Sequence, residues 1–319
     1  MQQDILCVHM IDYLRKGSIA FVTLATAWFS ATAMAQVAKP VCDRPCLTQI
    51  LDQYLDHMQS HNPAGVPIAA DANVREQTAP VKLGEGGSWK RITRLRTKMV
   101  FADPTQGSVM YRGAADTMGA TTGKLSSLSI RLKVEKRQIT ESETILNEGE
   151  GMFDAAYLLE PDPFLEAVLP PARRSSREEL IKIADSYFEA IGTHNPAAAP
   201  FATRCERYES GRRMTHNKVG TAATGEGANE TCSETLQGLK GQQTINRRFM
   251  ILDVERGLVI GATFIQHQER KPPNSLFMHE LFKIVDGKIW EIDNIAYTVP
   301  WPPDSGYGKT VPTAFPAAK

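Results

Sequence analysis

The sequence predicts an α+β fold in which one domain is built twice, and three observations carry that prediction. Residues 52–76 return without a gap as 185–209, so that Asp52 falls on Asp185, Tyr54 on Tyr187, and His61-Asn62-Pro63-Ala64 on His194-Asn195-Pro196-Ala197. Farther on the offset becomes 150, matching Asp103 with Asp253, Gly107 with Gly257, and Ile139, Glu141 and Ile145 with Ile289, Glu291 and Ile295. Each copy also opens on a helical apolar period and closes on strand-like alternation. A period this long is one domain folded twice, unlike the short repeat of a solenoid.

The first copy starts with Leu47, Ile50, Leu51, Tyr54, Leu55 and Met58 on one helical face, and the second with Leu180, Ile183, Ala184, Tyr187, Phe188 and Ile191. Ser176 and Glu179 form a capping box for the second helix. Both helices are expected to stop before His-Asn-Pro, because proline biases the preceding residue away from helical geometry. Leu128, Ile130, Leu132 and Val134 alternate with Ser129, Arg131 and Lys133, the period of a half-buried strand, and 139–146 follows after a turn. In the second copy 249–253, 258–266, 276–285 and 288–295 are expected strands, with Asp286-Gly287 as a hairpin turn. Helices followed by an antiparallel meander complete the layout.

The boundaries follow from composition. Residues 1–35 have the form of an export leader: Arg15-Lys16, an apolar run over 19–30, and Ala33-Met34-Ala35 as the cleavage site. About 14 apolar or small residues fall short of the roughly 20 that span a bilayer. The first domain is then 36–160, a Pro-rich linker 161–171, the second domain 172–299, and an irregular tail 300–319. The difference between the two offsets belongs to an insertion in the second half that holds the Gly/Ala/Thr-rich run 220–229.

Export implies an oxidising compartment, periplasmic or extracellular, in which an even cysteine count favours disulfides. Cys7 leaves with the leader, so Cys42, Cys46, Cys205 and Cys232 remain. Three pairings are open; Cys42–Cys46 and Cys205–Cys232 are the most economical, since each closes within one domain. A zinc site is the alternative, but Cys-x3-Cys has no His-x3-His partner here. The chain carries 36 Lys+Arg and 36 Asp+Glu. A neutral chain without a basic stripe excludes nucleic acid as the expected partner, and with it attraction to anionic lipid.

Asp286-Gly287-Lys288-Ile289-Trp290-Glu291-Ile292, closing a helix-first sheet, resembles the NTF2-like (SnoaL-like) cone fold. Both halves together resemble an uncharacterised family of tandem NTF2-like domains. His61-Asn62-Pro63 through Val74-Arg75-Glu76, Gly84-Glu85-Gly86-Gly87-Ser88-Trp89, Cys205 to Gly211, Arg247-Arg248-Phe249 and Asp253 to Val259 carry that likeness. The resemblance implies two cones, each a curved antiparallel sheet with helices packed on it and a pocket between them. In the wider superfamily such pockets serve cofactor-free isomerases, dehydratases, hydrolases and lyases of apolar ring compounds, or bind ligands, or build dimers. Fold alone does not choose among these.

Residue types narrow the choice. The 150 offset places Met278, Glu280, Phe282 and Ile284 where the first half has Leu128, Ile130, Leu132 and Val134. Glu280 thus interrupts an apolar stripe, where burial raises a carboxyl pKa towards the acid–base range. A strand-margin Glu, or one paired with an arginine such as Arg248, is the structural alternative. Asp293 lies on the next strand with Glu291, either beside Glu280 or on a solvated face. Tyr187 is placed to donate to a substrate oxygen or simply to pack. His194 stands at the mouth as a base or fixes the turn. His57 and His61 have metal-ligand spacing without the rest of a motif, and His279 has the parity opposite to Glu280. Asn229-Glu230-Thr231 is a glycosylation sequon. The Gly-rich 84–87 run lacks the Lys-Ser/Thr of a phosphate loop.

The expectation is an exported lyase, isomerase or dehydratase that needs no cofactor or metal and acts on a small apolar or aromatic compound. Glu280, Asp293, Tyr187 and His194 form its site in the second half. A non-catalytic binding or interaction module, with homo-oligomer contacts through the sheet faces, is the competing expectation.

Overall fold

The computed structural model describes residues 42–119, 125–149, 155–160, 162–216, 230–267 and 274–308, all within the compact unit Lys39–Lys319. The expected leader, the 220–229 run, Asn229 of the sequon and the tail beyond Gly308 lie outside the described residues.

In the first half, helix α1 (Arg44–Gln59) leads to β1 (Ile68–Glu76), β2 (Ala79–Pro80), α2 (Gly87–Arg91), β3 (Ile92–Leu95), β4 (Met99–Asp103), β5 (Ser108–Thr117), β6 (Ser126–Glu135) and β7 (Gln138–Asn147). A 3-10 turn (Ala155–Leu159) and the single helical turn α3 (Pro163–Glu166) connect the halves. The second half repeats the order as α4 (Arg177–Thr193), β8 (Phe201–Glu209), β9 (Arg212–Arg213), α5 (Cys232–Thr235), β10 (Gln242–Asp253), β11 (Leu258–His267), β12 (Asn274–Val285) and β13 (Lys288–Pro300).

The helices form where the apolar period placed them. Leu47, Ile50, Leu51, Tyr54, Leu55 and Met58 are all buried, and Asp43 caps α1 by accepting from the Cys46 amide at 3.1 Å. On α4 the Ser176–Glu179 capping box is present. Past each helix the chain turns at a histidine in the left-handed region, His61 at φ 54° and His194 at φ 55°. That conformation is unfavourable for most side chains and ends a helix.

The sheets run β2-β1-β7-β6-β5-β3, with β4 also on β5, and β10-β11-β12-β13-β8-β9. The expected purely antiparallel sheet needs correction. β1 pairs parallel with β7, and β8 parallel with β13. The strand after each first helix returns beside the last strand, and its Ile-Ala-Ala-Asp-Ala-Asn start shows no alternation that would reveal it.

Each sheet has an inner face turned to its own helix and an outer face turned to the other half. Tyr54, Val109, Leu128, Ile130 and Leu132 fill the first inner core, while Leu180, Tyr187, Phe188, Phe249, Phe282 and Ile292 fill the second. A third core is shared: Phe101, Met110 and Ile145 from one sheet pack on Ile260, Phe264, Phe277, Leu281 and Ile295 from the other. The halves are joined through apolar burial over their sheet backs, the dominant favourable term in such contacts.

Polar contacts repeat across this shared face. Arg44 meets Asp253 at 2.8 Å, and Arg177, its counterpart at the 133 offset, meets Asp103 at 2.8 Å. Asp103 and Asp253 are themselves counterparts at the 150 offset, so the two pairs are related as across a two-fold axis. Glu143 and Asp293 are counterparts as well, and each takes an arginine from the other half: Arg248 at 2.5 Å for Glu143, and Arg112 for Asp293. Beyond β13 the segment 301–308 crosses to the first half. There Tyr307 donates to the Ser142 carbonyl at 2.8 Å, and its ring lies 5.1 Å from the Arg248 guanidinium.

Candidate functional site

Glu280 sits on the inner face of β12, 1% exposed, opposite Asn294 of β13. Its Oε1 has no hydrogen-bond partner, while the Asn294 side chain bonds the carboxyl. Burial pushes its pKa up to about 8, and the positive charge of Arg207 only partly opposes that shift. The group is therefore a carboxylic acid near neutral pH, able to give up a proton within a unit or so of ambient conditions.

Two strands and a helix build the surroundings. Tyr187, on the buried face of α4, packs edge-on to Phe282 with ring centres 5.4 Å apart. Its hydroxyl accepts from Arg207 Nε at 3.2 Å, and burial holds the phenol well above its ordinary pKa. Arg207, on β8, is 1% exposed and forms an ion pair with Glu209 two residues on. Its backbone amide is held by Thr215 Oγ1 at 3.0 Å. The Cys205–Cys232 disulfide fastens β8 to α5 two residues before Arg207. The other bridge is Cys42–Cys46, so each closes within one half.

Arg207 is the residue that sequence reasoning passed over. The signal was available at the 133 offset, where Arg207 replaces Val74 just as Glu280 replaces Ile130 at 150. Two apolar-to-charged changes of opposite sign, on strands sharing one inner face, mark a paired polar insertion.

Asp293 does not stand beside Glu280, and this corrects the expected dyad. It faces the shared core, fully buried, in an ion pair with Arg112. The cause is a bulge: Lys283 pairs with Glu291 and Ile284 with Ile289, leaving Trp290 as the extra residue. One inserted residue flips the strand, so Ile289 points inward and Glu291, Asp293 and Ile295 point to the other half. The first half carries the same bulge at Thr140.

His194 is the exposed C-cap of α4, with Nε2 accepting from the Gly241 amide at 3.3 Å. This is the turn-fixing role. His279 faces the shared core, its Nδ1 2.9 Å from Ser129 Oγ, and burial depresses its pKa to about 4. It stays neutral there, in agreement with its parity against Glu280.

Four of the surface grooves lie away from Glu280. A groove of about 580 Å³ runs between α4 and the β12–β13 turn, lined by Arg173, Glu179, Lys182 and Asp286 among others. Another of about 430 Å³ lies over the reciprocal Arg44–Asp253 and Arg177–Asp103 pairs. The remaining two flank α1 and α2. Among the described residues no group of three or more His, Cys, Asp or Glu is arranged to hold a metal ion, and no helix is long and apolar enough to cross a membrane.

Solved structures similar to this chain include a Kribbella flavida protein assigned as a ketosteroid isomerase. It is 13% identical, covers 42% of this chain and 91% of its own, and has a TM-score of 0.28. AclR of Streptomyces galilaeus, assigned as a hydroxylase, is 12% identical over 38% of this chain and 91% of its own, TM-score 0.28. A Novosphingobium aromaticivorans protein assigned as a scytalone dehydratase is 14% identical over 40% and 88%, TM-score 0.26. No curated protein matches the sequence. One family profile matches twice, over residues 41–146 and 173–296, once for each copy of the repeat, and the chain belongs to the family described as Domain of unknown function (DUF8021).

Proposed function

We propose that this chain is an exported, cofactor-free enzyme for a small, largely apolar or aromatic compound, a lyase, isomerase or dehydratase with its site inside the second half. One observation carries the reading: Glu280 is fully buried in an apolar interior, with an unpartnered oxygen and a pKa raised to about 8. An orphaned ionisable group costs stability, and such groups concentrate where proton transfer is needed. Glu280 moves the proton, Tyr187 is the neutral donor beside it, and Arg207 orients Tyr187 and opposes the rise in the Glu280 pKa. Asp293, across the sheet, contributes only through its field.

The two halves are read as tandem NTF2-like domains at 36–160 and 172–299, joined by 161–171 and followed by the tail 300–319. Two intramolecular disulfides fit an oxidising compartment, periplasmic or extracellular, and the leader-like 1–35 is consistent with export.

The test is turnover of a panel of small cyclic ketones, enols and hydroxy-aromatics by the wild type and Glu280→Gln. The amide keeps the shape and removes the titrating proton, so loss of turnover by more than about a hundredfold with intact folding supports the reading. A second reading rests on how tightly Phe188, Phe249, Phe282, Ile284 and Ile292 fill the same core. On that reading the half is a binding or interaction module, and Glu280→Gln leaves ligand affinity nearly unchanged.

A further inference from the structure

The outer face of the second sheet gathers more carboxyl groups than cations. Asp293 and Glu291 of β13 are both buried, and Asp162, the N-cap of α3, hydrogen-bonds Glu291 from the linker. Tyr157 of the linker reaches Glu291 Oε1 at 3.4 Å and stacks on Tyr208 of β8 with ring centres 4.3 Å apart. The cations facing this group are Arg112 of β5, bound to Asp293, and Lys283 of β12. Arg213 of β9 is engaged by Glu206 of β8, and Arg256 of the β10–β11 turn by Asp253.

The matching place on the first sheet is balanced. Glu141 and Glu143 meet Arg131 and Arg248 one to one, with neutral His279 alongside and Tyr307 laid over both guanidiniums. Tyr307 is the counterpart of Tyr157 at the 150 offset, and Asp304 of Asp154, so each half sends a tyrosine arm to the other. One arm lands on paired charges. The other lands on three carboxyl groups, where at least one has to keep its proton.

Glu291 is the one that keeps it. Burial raises its pKa to about 9, with Asp293 and Asp162 adding to the rise. The retained proton bridges Glu291 and Asp162, tying the start of α3 to β13. The Lys283 ammonium makes a second tie, donating to the carbonyls of Leu165, Ala167 and Arg256 at 3.4, 3.1 and 2.6 Å. Burial lowers its pKa to about 8. The Glu291 tie needs its proton and loosens as pH rises, whereas the pKa of Lys283 is lower in place than free, so its titration opposes release.

We propose that the linker arm, residues 157–160 and 162–167, is a proton-dependent latch on the second sheet, whereas the tail arm at Tyr307 is a proton-independent one. Alkaline pH frees the linker and leaves the tail seated. The chemistry is proton loss alone: Glu291 becomes a second carboxylate against Asp162.

The experiment is proteinase K cleavage of the full chain between pH 6 and 8, with each rate divided by that of an unstructured peptide. Cutting within 155–169 is followed against cutting within 301–308. When opening is fast, cleavage tracks the open population. Below pH 8, loss of the single Glu291 proton makes linker cutting rise towards about tenfold per pH unit, and tail cutting stays flat. Glu291→Gln removes that proton and should flatten the linker profile below pH 8. Asp162→Asn still caps α3 and can donate to an ionised Glu291, so it should lower the slope without abolishing it. A flat linker profile, equal release of both arms, or unaltered steepness in both variants would overturn the proposal.

Discussion

On the inner face of the first half, Tyr54 and Glu76 occupy the positions that Tyr187 and Glu209 hold in the second. The first pair is satisfied by neutral donors. Trp89 Nε1 reaches the Tyr54 hydroxyl at 3.0 Å, with Ser142 Oγ also at 3.0 Å, and Glu76 accepts from the Ser88 amide and hydroxyl. The second pair is satisfied by one cation, Arg207, which bonds Tyr187 and pairs with Glu209. Where the second half has Arg207 and Glu280, the first has the apolar Val74 and Ile130. The second half carries a buried carboxyl group where its twin has an isoleucine. A repeated fold isolates by subtraction the positions at which its two copies solve the same packing problem differently.

Moving that polar insertion into the first half should have the largest effect. Ile130→Glu buries an acid with no cation nearby and should cost about 3–5 kcal/mol in urea unfolding. Adding Val74→Arg should recover part of it, since the double variant reproduces the second half's arrangement. Recovery absent, or a cost below about 1 kcal/mol, would mean that the two interiors differ in more than these two positions.

The disulfides give the next contrast. The Cys205–Cys232 bridge spans 27 residues and Cys42–Cys46 only 4. Loop-closure entropy assigns roughly 3–4 kcal/mol to the longer and about 2 kcal/mol to the shorter. Paired Cys→Ser variants, compared by calorimetry, should rank in that order. Loss of the longer bridge should also loosen β8 around Arg207, which the shorter one cannot do.

The pH dependence of stability follows from the direction of the shifts. Glu280 is raised from its ordinary 4.5 to about 8, so the folded protein binds more protons than the unfolded chain between those values. Its contribution is full below 4.5 and is lost as pH rises through about 8, at up to roughly 1.4 kcal/mol per pH unit. Asp293, raised to about 6, and Glu291, raised to about 9, act in the same sense. His279, depressed to about 4, acts oppositely: its contribution is lost as pH falls from 6.5 towards 4. Glu143, held below its ordinary value by Arg248 against the opposing effect of burial, also favours the folded state above acid pH. Stability should therefore peak at mildly acidic pH, and Glu280→Gln should flatten the alkaline limb. An alkaline limb identical to wild type would remove the buried acid from the account.

The arms give the smallest difference. Tyr307 shares its one hydroxyl proton between the Ser142 carbonyl at 2.8 Å and the Asn73 carbonyl at 3.2 Å, whereas the contact of Tyr157 to Glu291 is long, 3.4 Å, beside a bond to Tyr208. Tyr307→Phe should cost about 1 kcal/mol and Tyr157→Phe close to nothing near neutral pH.

Much of the architecture was legible, and what was not has physical reasons. The apolar periods gave α1, α4 and the central strands because one face of each is buried. Glu280 stood out because the other copy showed an isoleucine in its place. β1 and β8 were missed because edge-proximal, half-exposed strands carry little alternation. Asp293 was assigned to the wrong face because a bulge is silent in a sequence, and one extra residue at Trp290 inverts every side chain beyond it. The Tyr307 arm was missed because the tail carries no periodicity, although Asp-x-x-Tyr recurs at the 150 offset in Asp154–Tyr157 and Asp304–Tyr307.

The reciprocal pairs, Arg44 with Asp253 and Arg177 with Asp103, are one contact present twice, as in a symmetric dimer. Here the partners share a backbone, and α3 spans them with a short connection. Such a tether replaces protomer concentration with a fixed effective concentration on the order of millimolar. A free dimer of these halves would come apart on dilution; this chain keeps its interface at any concentration. The tether also lets one copy change without its twin. A carboxyl group inside a homodimer subunit appears twice and destabilises both, whereas here Glu280 is carried by one half while the other remains an intact apolar scaffold.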